Sequence, residues 1–178
     1  QYMTSINYAN APEDPAPLFG NRFIFPKQFS ILSGEPGASK NTLALALAFS
    51  LATGVEIVED FAPARRGRVL YLSSEDTPKR IRILLESFCD GAKPPLGHDI
   101  ISQVRHEGRL MIPDTEEPLM VYDSRARGMV TTDAGLELIK AARNYDLVMV
   151  NPLYEWFVMD EENSPNLHAV GKYMRTIA

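Results

Sequence analysis

A glycine-rich segment with one lysine holds the residues of this chain that are best suited to chemistry. The segment runs Gly34, Glu35, Pro36, Gly37, Ala38, Ser39, Lys40, Asn41, Thr42. In the pattern G-x-x-x-x-G-K-[ST], backbone N–H groups surround phosphates and the lysine reaches the outer ones. Gly34, Gly37 and Lys40 agree with this pattern, whereas Ser39 replaces the second glycine and Asn41 replaces the hydroxyl residue that meets Mg²⁺. The segment therefore predicts a phosphate-binding loop with two substitutions. The alternative is an ordinary Gly-Pro turn before a buried helix.

Two predicted strand ends carry the remaining polar residues of interest. One strand is followed by Glu75 and Asp76, and another ends at Asn151. Ligands of open α/β sheets bind at the carboxyl ends of strands. A carboxylate near a bound terminal phosphate can orient and deprotonate an attacking water, so Glu75 is the candidate base. Asn151 stands where an aspartate would hold Mg²⁺ through water. Glu75 and Asp76 have a second interpretation, as helix N-terminal charges that the helix dipole favours.

The metal site predicted from these residues is weak. Asn41 and Asn151 are its candidate ligands, with Mg²⁺ and a nucleoside triphosphate as the cofactors. Both residues retain an amide oxygen but carry no negative charge. Because Mg²⁺ prefers hard, anionic oxygen ligands, we expect the metal to be held less tightly than in the unsubstituted pattern.

The pattern of apolar residues predicts the elements that position this site. Leu43, Leu47 and Leu51 recur every four residues and predict a helix that ends near Gly54. The other predicted strands are 29–33, 68–73, 110–112, 119–122 and 145–151; the other predicted helices are 77–88, from 131 or 132 to about 143, and 166–178; residues 89–108 are predicted as loop. Strands that alternate with helices and consist of continuous apolar runs predict an α/β fold with a mainly parallel sheet flanked by helices.

Composition is typical of one globular domain. The 178 residues are 45% hydrophobic and carry a net charge of −5, which argues against a static basic nucleic-acid binder. Cys89 is the single cysteine, the three histidines lack metal-ligand spacing, and no apolar run has the length of a membrane span. We expect a cytoplasmic protein without a membrane partner. We also expect an extended N-terminal arm over residues 1–22 and a core over residues 23–178.

From about Phe29 to Ala178, the chain resembles the RepA-like AAA_25 ATPases, which have the RecA fold and include a hexameric replicative helicase. The resemblance rests on the loop at 34–42, on the segment 67–76, and on the segment 146–153 followed by Asp160-Glu161-Glu162-Asn163. It implies a RecA-like P-loop NTPase core in which Lys40 binds the β- and γ-phosphates and Glu75 is the catalytic base. It also implies a homo-oligomeric ring that couples ATP hydrolysis to translocation on single-stranded DNA during replication. The resemblance gives the acidic loop at 160–163 no role.

The chain departs from the family pattern in ways that leave its function open. The substitutions at Ser39, Asn41 and Asn151 affect the loop and the Mg²⁺ contacts. The family fold also continues with strands that carry a γ-phosphate sensor, DNA-contacting loops and a trans-acting finger, so we expect the core to be incomplete at its C-terminus. The alternative to an active ATPase is a pseudo-ATPase that binds nucleotide without turnover and has a structural or regulatory role. A third alternative is a non-helicase RecA-like module of a mobile element.

Overall fold

The computed structural model describes residues 15–20, 23–35, 37–114, 117–158 and 165–177. In chain order its elements are α1 (Lys40–Thr53), β1 (Val69–Ser73), α2 (Pro78–Gly91), α3 (Asp99–His106), β2 (Leu110–Met111), β3 (Met120–Asp123), β4 (Gly128–Thr131), α4 (Asp133–Ala142), β5 (Leu147–Asn151), α5 (Leu153–Trp156), β6 (Phe157–Val158) and α6 (Pro165–Ile177).

A parallel three-stranded sheet in the order β2-β1-β5 positions the polar strand ends. Strands β1 and β5 pair along their full length, from Val69 opposite Leu147 to Ser73 opposite Asn151. The pairing continues one step further, since Ser74 N–H donates to the carbonyl of Asn151 at 3.2 Å. The predicted α/β fold with a parallel sheet flanked by helices is confirmed. The register also places the chain after Ser73 beside the end of β5.

Helices cover both faces of this sheet. Alternate residues of β1 point to opposite sides, and because they are apolar, each side packs against helices. Val69 and Tyr71 belong to a core cluster with buried residues of α1, α2 and α3. Leu70 and Leu72 belong to a second cluster with buried residues of α4 and α6. Burial on both faces explains why β1 is a continuous apolar run rather than an alternating one.

A second small sheet, in the order β4-β3-β6, contains two strands, β4 and β6, that the sequence did not predict. Strands β3 and β4 form an antiparallel hairpin, and β6 pairs in parallel with β3. Asp123 closes the hairpin turn, because its carboxylate accepts hydrogen bonds from the N–H groups of Arg125 at 2.7 Å and Ala126 at 3.4 Å. Strand β4 was missed because Gly128 and the three residues after it lack an apolar run.

Two predicted elements are wrong. Residues 29–33 are not a strand: they lie outside both sheets, and Ile31 is 68% exposed. Apolar composition alone does not form a strand, because a strand also needs an edge with which to pair. Residues 89–108 are not all loop, since α2 continues to Gly91 and α3 buries Val104. Helix α3 gave little signal because it is short and its N-cap residue, His98, makes no capping hydrogen bond.

The last residues of the predicted N-terminal arm pack into the core. Leu18 and Phe19 are buried; Leu18 N–H donates to the carbonyl of Ile24 at 2.8 Å, and the Leu18 carbonyl accepts the N–H of Ala64 at 2.9 Å. Residues 1–14, 21 and 22 of the predicted arm lie outside the described residues.

No helix among the described residues is long and apolar enough to cross a membrane.

Candidate functional site

The glycine-rich loop leads directly into α1, which begins at Lys40. Gly37 has a φ of 81° and Ser39 has a φ of 56°, so two residues of the loop adopt a left-handed backbone conformation before the helix starts. A side chain in that conformation is strained by about 1–2 kcal/mol, which is why glycine is usual there. Pro36, also predicted in this loop, lies outside the described residues. The structure thus shows Ser39 in the strained geometry that a glycine would adopt freely.

The Lys40 ammonium lies against the loop itself. Its Nζ donates hydrogen bonds to the carbonyl oxygens of Gly34 at 2.8 Å and Glu35 at 2.7 Å. The first N–H groups of a helix have no intrahelical acceptor, and they carry partial positive charge. The loop therefore combines the Lys40 ammonium with the N–H groups of the first turn of α1, including those of Asn41 and Thr42. This arrangement can bind a phosphate.

Glu75 contacts the loop, although 34 residues separate it from its partner there. The Asn41 side-chain nitrogen donates to Glu75 Oε2 at 2.6 Å, and the Tyr154 hydroxyl donates to Glu75 Oε1 at 3.1 Å. The hydrogen bond to Glu75 is the main cause that raises the pKa of Tyr154, with desolvation adding to it. Tyr154 therefore remains a neutral donor at physiological pH. Both oxygens of the candidate base are held in place by side chains.

A buried tyrosine links the two substituted residues. The Asn151 side-chain nitrogen donates to the Tyr71 hydroxyl at 3.4 Å, and that hydroxyl donates to the carbonyl of Asn41 at the same distance. Burial, followed by the charge of Asp76, raises the pKa of Tyr71 to about 12. Tyr71 is therefore protonated at neutral pH and connects the end of β5 to the start of α1.

Asp76 is the second carboxylate at the end of β1. One of its oxygens pairs with Arg80 Nε at 2.8 Å, yet its side chain is only 5% exposed. Its other oxygen, Oδ2, is buried without a hydrogen-bond partner, as is the hydroxyl oxygen of Ser74. A buried polar atom without a partner is costly, so these two oxygens call for a physical explanation.

The residues at these strand ends and at the start of α1 fit Mg²⁺ in their chemistry. Amide oxygens of Asn41 and Asn151, carboxylates of Glu75 and Asp76, and the Ser74 hydroxyl are all hard oxygen donors. The unpartnered Oδ2 of Asp76 is an anionic acceptor that a cation would satisfy. Within the described ranges, no group of three or more His, Cys, Asp or Glu residues is arranged to hold a metal by itself. A metal here would therefore depend on phosphate oxygens for part of its coordination.

Sequence reasoning identified the loop, Glu75 and Asn151, and the structure places them at one edge of the sheet. It missed Tyr71 and Tyr154. Tyr71 lies inside an apolar strand and has the pattern of a core residue. Tyr154 is three residues beyond Asn151, so proximity to a predicted strand end was the only signal that could have identified it.

Comparison with known proteins identifies the family of this chain. The chain belongs to the AAA_25 family, described as an AAA domain, whose profile matches residues 3–178. It is also 30% identical over 95 residues to the DNA repair protein RadA of Synechocystis sp.. That alignment covers 52% of this chain and 17% of the relative, so the chain spans a small part of the relative's length. These likenesses identify a RecA-like, ATP-binding P-loop core.

Proposed function

We propose that this AAA_25 domain binds ATP with Mg²⁺ at the loop 34–42 and hydrolyses it with Glu75 as the general base. The observation that carries the proposal is the 2.6 Å contact between Asn41, at the start of α1, and Glu75, at the end of β1. This contact brings the candidate base next to the loop that would hold the phosphates. A base must lie within reach of the water that attacks the terminal phosphate.

In this proposal each group has a distinct task. Lys40 Nζ gives up its hydrogen bonds to the carbonyls of Gly34 and Glu35 and donates to phosphate oxygens instead. N–H groups of the loop and of α1 bind the remaining phosphate oxygens. Glu75 accepts a proton from water, and because each carboxylate oxygen has two lone pairs, it can do so while Asn41 and Tyr154 orient it. Mg²⁺, held with the amide oxygens of Asn41 and Asn151, would neutralise charge that develops on the phosphates.

We further propose that the protein acts as a homo-oligomeric ring on single-stranded DNA, as the resemblance to RepA-type helicases implies. The basic residues near β1 do not by themselves support DNA binding. Arg65 pairs with Asp146 at 2.6 Å, and Arg66 pairs with Glu107 at 3.3 Å. Light scattering on the full-length protein with ATP tests the ring, which we expect to assemble. A monomer at all concentrations would contradict it.

The second candidate function is a pseudo-ATPase with a structural or regulatory role. Asn41 binds Glu75 through its amide nitrogen, where the family pattern has a metal-binding hydroxyl. Asn151 likewise directs its amide nitrogen to Tyr71. Steady-state turnover assays with and without single-stranded DNA separate the two functions, because the pseudo-ATPase binds ATP without hydrolysing it under either condition.

The first test is nucleotide binding by calorimetry, with Lys40→Ala. We expect this substitution to weaken ATP binding by about 1.5–3 kcal/mol, as for a lost charge-assisted hydrogen bond. Lys140→Ala is the matched control, because Lys140 pairs with Glu137 at 2.7 Å on the exposed surface of α4. Equal affinity for the unmodified chain and Lys40→Ala, or no binding to the unmodified chain, would contradict the proposal.

A further inference from the structure

We propose that Asp76 supplies the negative charge for the divalent cation of the nucleotide site, the charge that Asn151 lacks. This inference rests on the proposed nucleotide binding and assigns a role to a carboxylate that the loop pattern does not include. It relocates the metal-organising charge from the end of β5 to the end of the neighbouring strand, β1.

The burial of Asp76 is the first observation. Its side chain is 5% exposed, and Oδ2 has no hydrogen-bond partner. Burying part of an ionised carboxylate without a partner costs free energy, and proteins normally avoid it unless the group is paired or binds a metal. Arg80 contacts only Oδ1, and its own side chain is 64% exposed, so this ion pair is weak and leaves Oδ2 unsatisfied.

Helix capping does not explain Asp76. Helix α2 begins at Pro78, and its N-cap is Thr77, whose hydroxyl accepts the N–H of Arg80 at 3.3 Å. The helix dipole favours a negative charge near this end. That preference would be met equally well by an exposed carboxylate, so it does not account for an unpartnered oxygen held inside the protein.

The position of Asp76 is the second observation. Ser74 N–H bonds to the carbonyl of Asn151, so Asp76 lies two residues past the last pairing of β1 with β5. The Asp76 charge acts on the Tyr71 hydroxyl, which itself contacts the Asn151 side chain and the Asn41 carbonyl. Asp76 is therefore within electrostatic range of the tyrosine that contacts both residues that replace the usual Mg²⁺ contacts.

The chemistry of the neighbouring atoms fits a hard cation. Ser74 contributes a second buried oxygen without a partner, directly before Glu75 in the chain. Carboxylate, hydroxyl and amide oxygens are ligands for Mg²⁺, either directly or through its retained waters. The Glu75 carboxylate is already held by Asn41 and Tyr154, so the Asp76 carboxylate would restore the charge that an aspartate at position 151 would have contributed.

The test measures how strongly Mg²⁺ enhances ATP affinity, by calorimetry in Mg²⁺ and in EDTA. We expect Mg²⁺ to raise the affinity of the unmodified chain by about fivefold or more, within the usual range of coupling between two ligands. In Asp76→Asn this enhancement should be lost, while the affinity in EDTA stays unchanged. Arg80→Gln is the matched control, since it breaks the same ion pair but keeps the carboxylate, and it should retain the enhancement.

Two further variants keep the test decisive. Asp76→Asn combined with Asn151→Asp should recover the enhancement, because the charge returns on the adjoining strand. If Asp76→Asn does not fold, Asp76→Cys replaces it: a thiolate prefers softer metals, so Zn²⁺ should enhance ATP affinity and Mg²⁺ should not.

The outcomes separate this inference from the proposed function. ATP binding with an equal Mg²⁺ enhancement in the unmodified chain and Asp76→Asn overturns the role of Asp76 alone. Mg²⁺ enhancement that persists in Asp76→Cys has the same meaning. No ATP binding by the unmodified chain, in either Mg²⁺ or EDTA, overturns the nucleotide site and this inference together.

Discussion

Asn41 and Asn151 are the residues that most alter what this site can do. Each retains an amide oxygen for a metal, but each directs its amide nitrogen to a neighbouring oxygen, on Glu75 and Tyr71 respectively. A serine at position 41 would present a hydroxyl instead, and an aspartate at position 151 would add a charge. These two substitutions therefore affect metal organisation, and Asn41 also fixes the orientation of Glu75 through its amide nitrogen.

Reversal of both substitutions tests this interpretation. Asn41→Ser with Asn151→Asp should raise Mg²⁺-dependent ATP hydrolysis on the order of tenfold, equal to ~1.4 kcal/mol of the barrier. Adding Glu75→Gln should abolish the gain, since the base is then lost. Steady-state ATPase across a Mg²⁺ titration is the measurement. Turnover by the unmodified chain at the revertant's rate would mean that the substitutions are tolerated and that the pseudo-ATPase interpretation is wrong.

At the residue scale, sequence could predict the groups that a motif fixes and not the groups that only the fold brings together. Gly34, Lys40 and Glu75 follow from the spacing of the loop and from a strand end. Tyr154 reaches Glu75 across 79 residues of chain. Its contribution depends on the pairing of β1 with β5, which spacing along the chain does not specify.

At the scale of elements, the start of α4 is packed tightly against the second sheet. The Thr132 hydroxyl accepts the N–H of Gly135 at 3.1 Å and donates to the carbonyl of Pro118 at 2.6 Å. A Cβ added at Gly135 would collide with the backbone carbonyl of Leu119. Gly135 is therefore required by close approach to the chain before β3, not by turn geometry.

Gly135→Ala should lower the free energy of unfolding by about 1–3 kcal/mol, as for other overpacked sites. Gly171→Ala, within α6, is the matched control: among the described residues, its added Cβ would meet Arg175 Nη2 at 3.7 Å, within ordinary contact range. That control should be stabilising by about 1 kcal/mol, because alanine is the better helix former. Urea denaturation measures both, and a neutral Gly135→Ala would contradict the close packing.

The elements that sequence predicted well are those rich in apolar residues: α1 is buried at every position from Leu45 to Thr53, and β1 is buried along most of its length. Leu43, Leu47 and Leu51 mark α1, and the apolar run after Arg68 marks β1. Residues 29–33 show the limit of this reasoning. Their composition is that of a strand, but strand formation depends on a partner edge, which is a property of the whole sheet.

At the scale of the whole molecule, Asp146 holds the beginnings of the neighbouring strands β1 and β5 together. Its carboxylate accepts the Arg65 guanidinium at 2.6 Å and the backbone N–H of Arg68 at 2.7 Å, just before β1. Burial opposes ionisation of Asp146, but the bonds from Arg65 and Arg68 outweigh it and lower its pKa. The carboxylate is therefore favoured in its ionised form when the chain is folded.

A lowered pKa makes this contribution depend on pH in a defined direction. It is fully present above the unfolded value, about 3.9, and is lost as pH falls through the folded pKa. Asp146→Asn should therefore lower the free energy of unfolding by about 1–3 kcal/mol at pH 7. That difference should shrink in strongly acidic solution. Urea denaturation at both pH values measures it, with Asp90→Asn, at an exposed pair with His98, as the control. A difference independent of pH would contradict the assignment.

The overall fold was predictable because β1, which is buried on both sides, and β5, which is partly buried, leave an apolar signal along the chain. Strands β1 and β5 are continuous apolar runs separated by helical segments, which is enough to infer a parallel sheet covered by helices. The division into a parallel sheet and a separate sheet with a hairpin was not predictable, since β2 and β6 are only two residues long.

The fluorescence of Trp156 reports on the end of strand β5. It is the only tryptophan in the sequence, it is buried, and its indole N–H donates to the carbonyl of Asn151 at 3.3 Å. Indole emission responds to the polarity and hydrogen bonding of its surroundings. Any rearrangement that shifts the Asn151 backbone will therefore change the intrinsic fluorescence of the unlabelled protein, so ligand arrival at this edge of the sheet can be followed in real time without a dye.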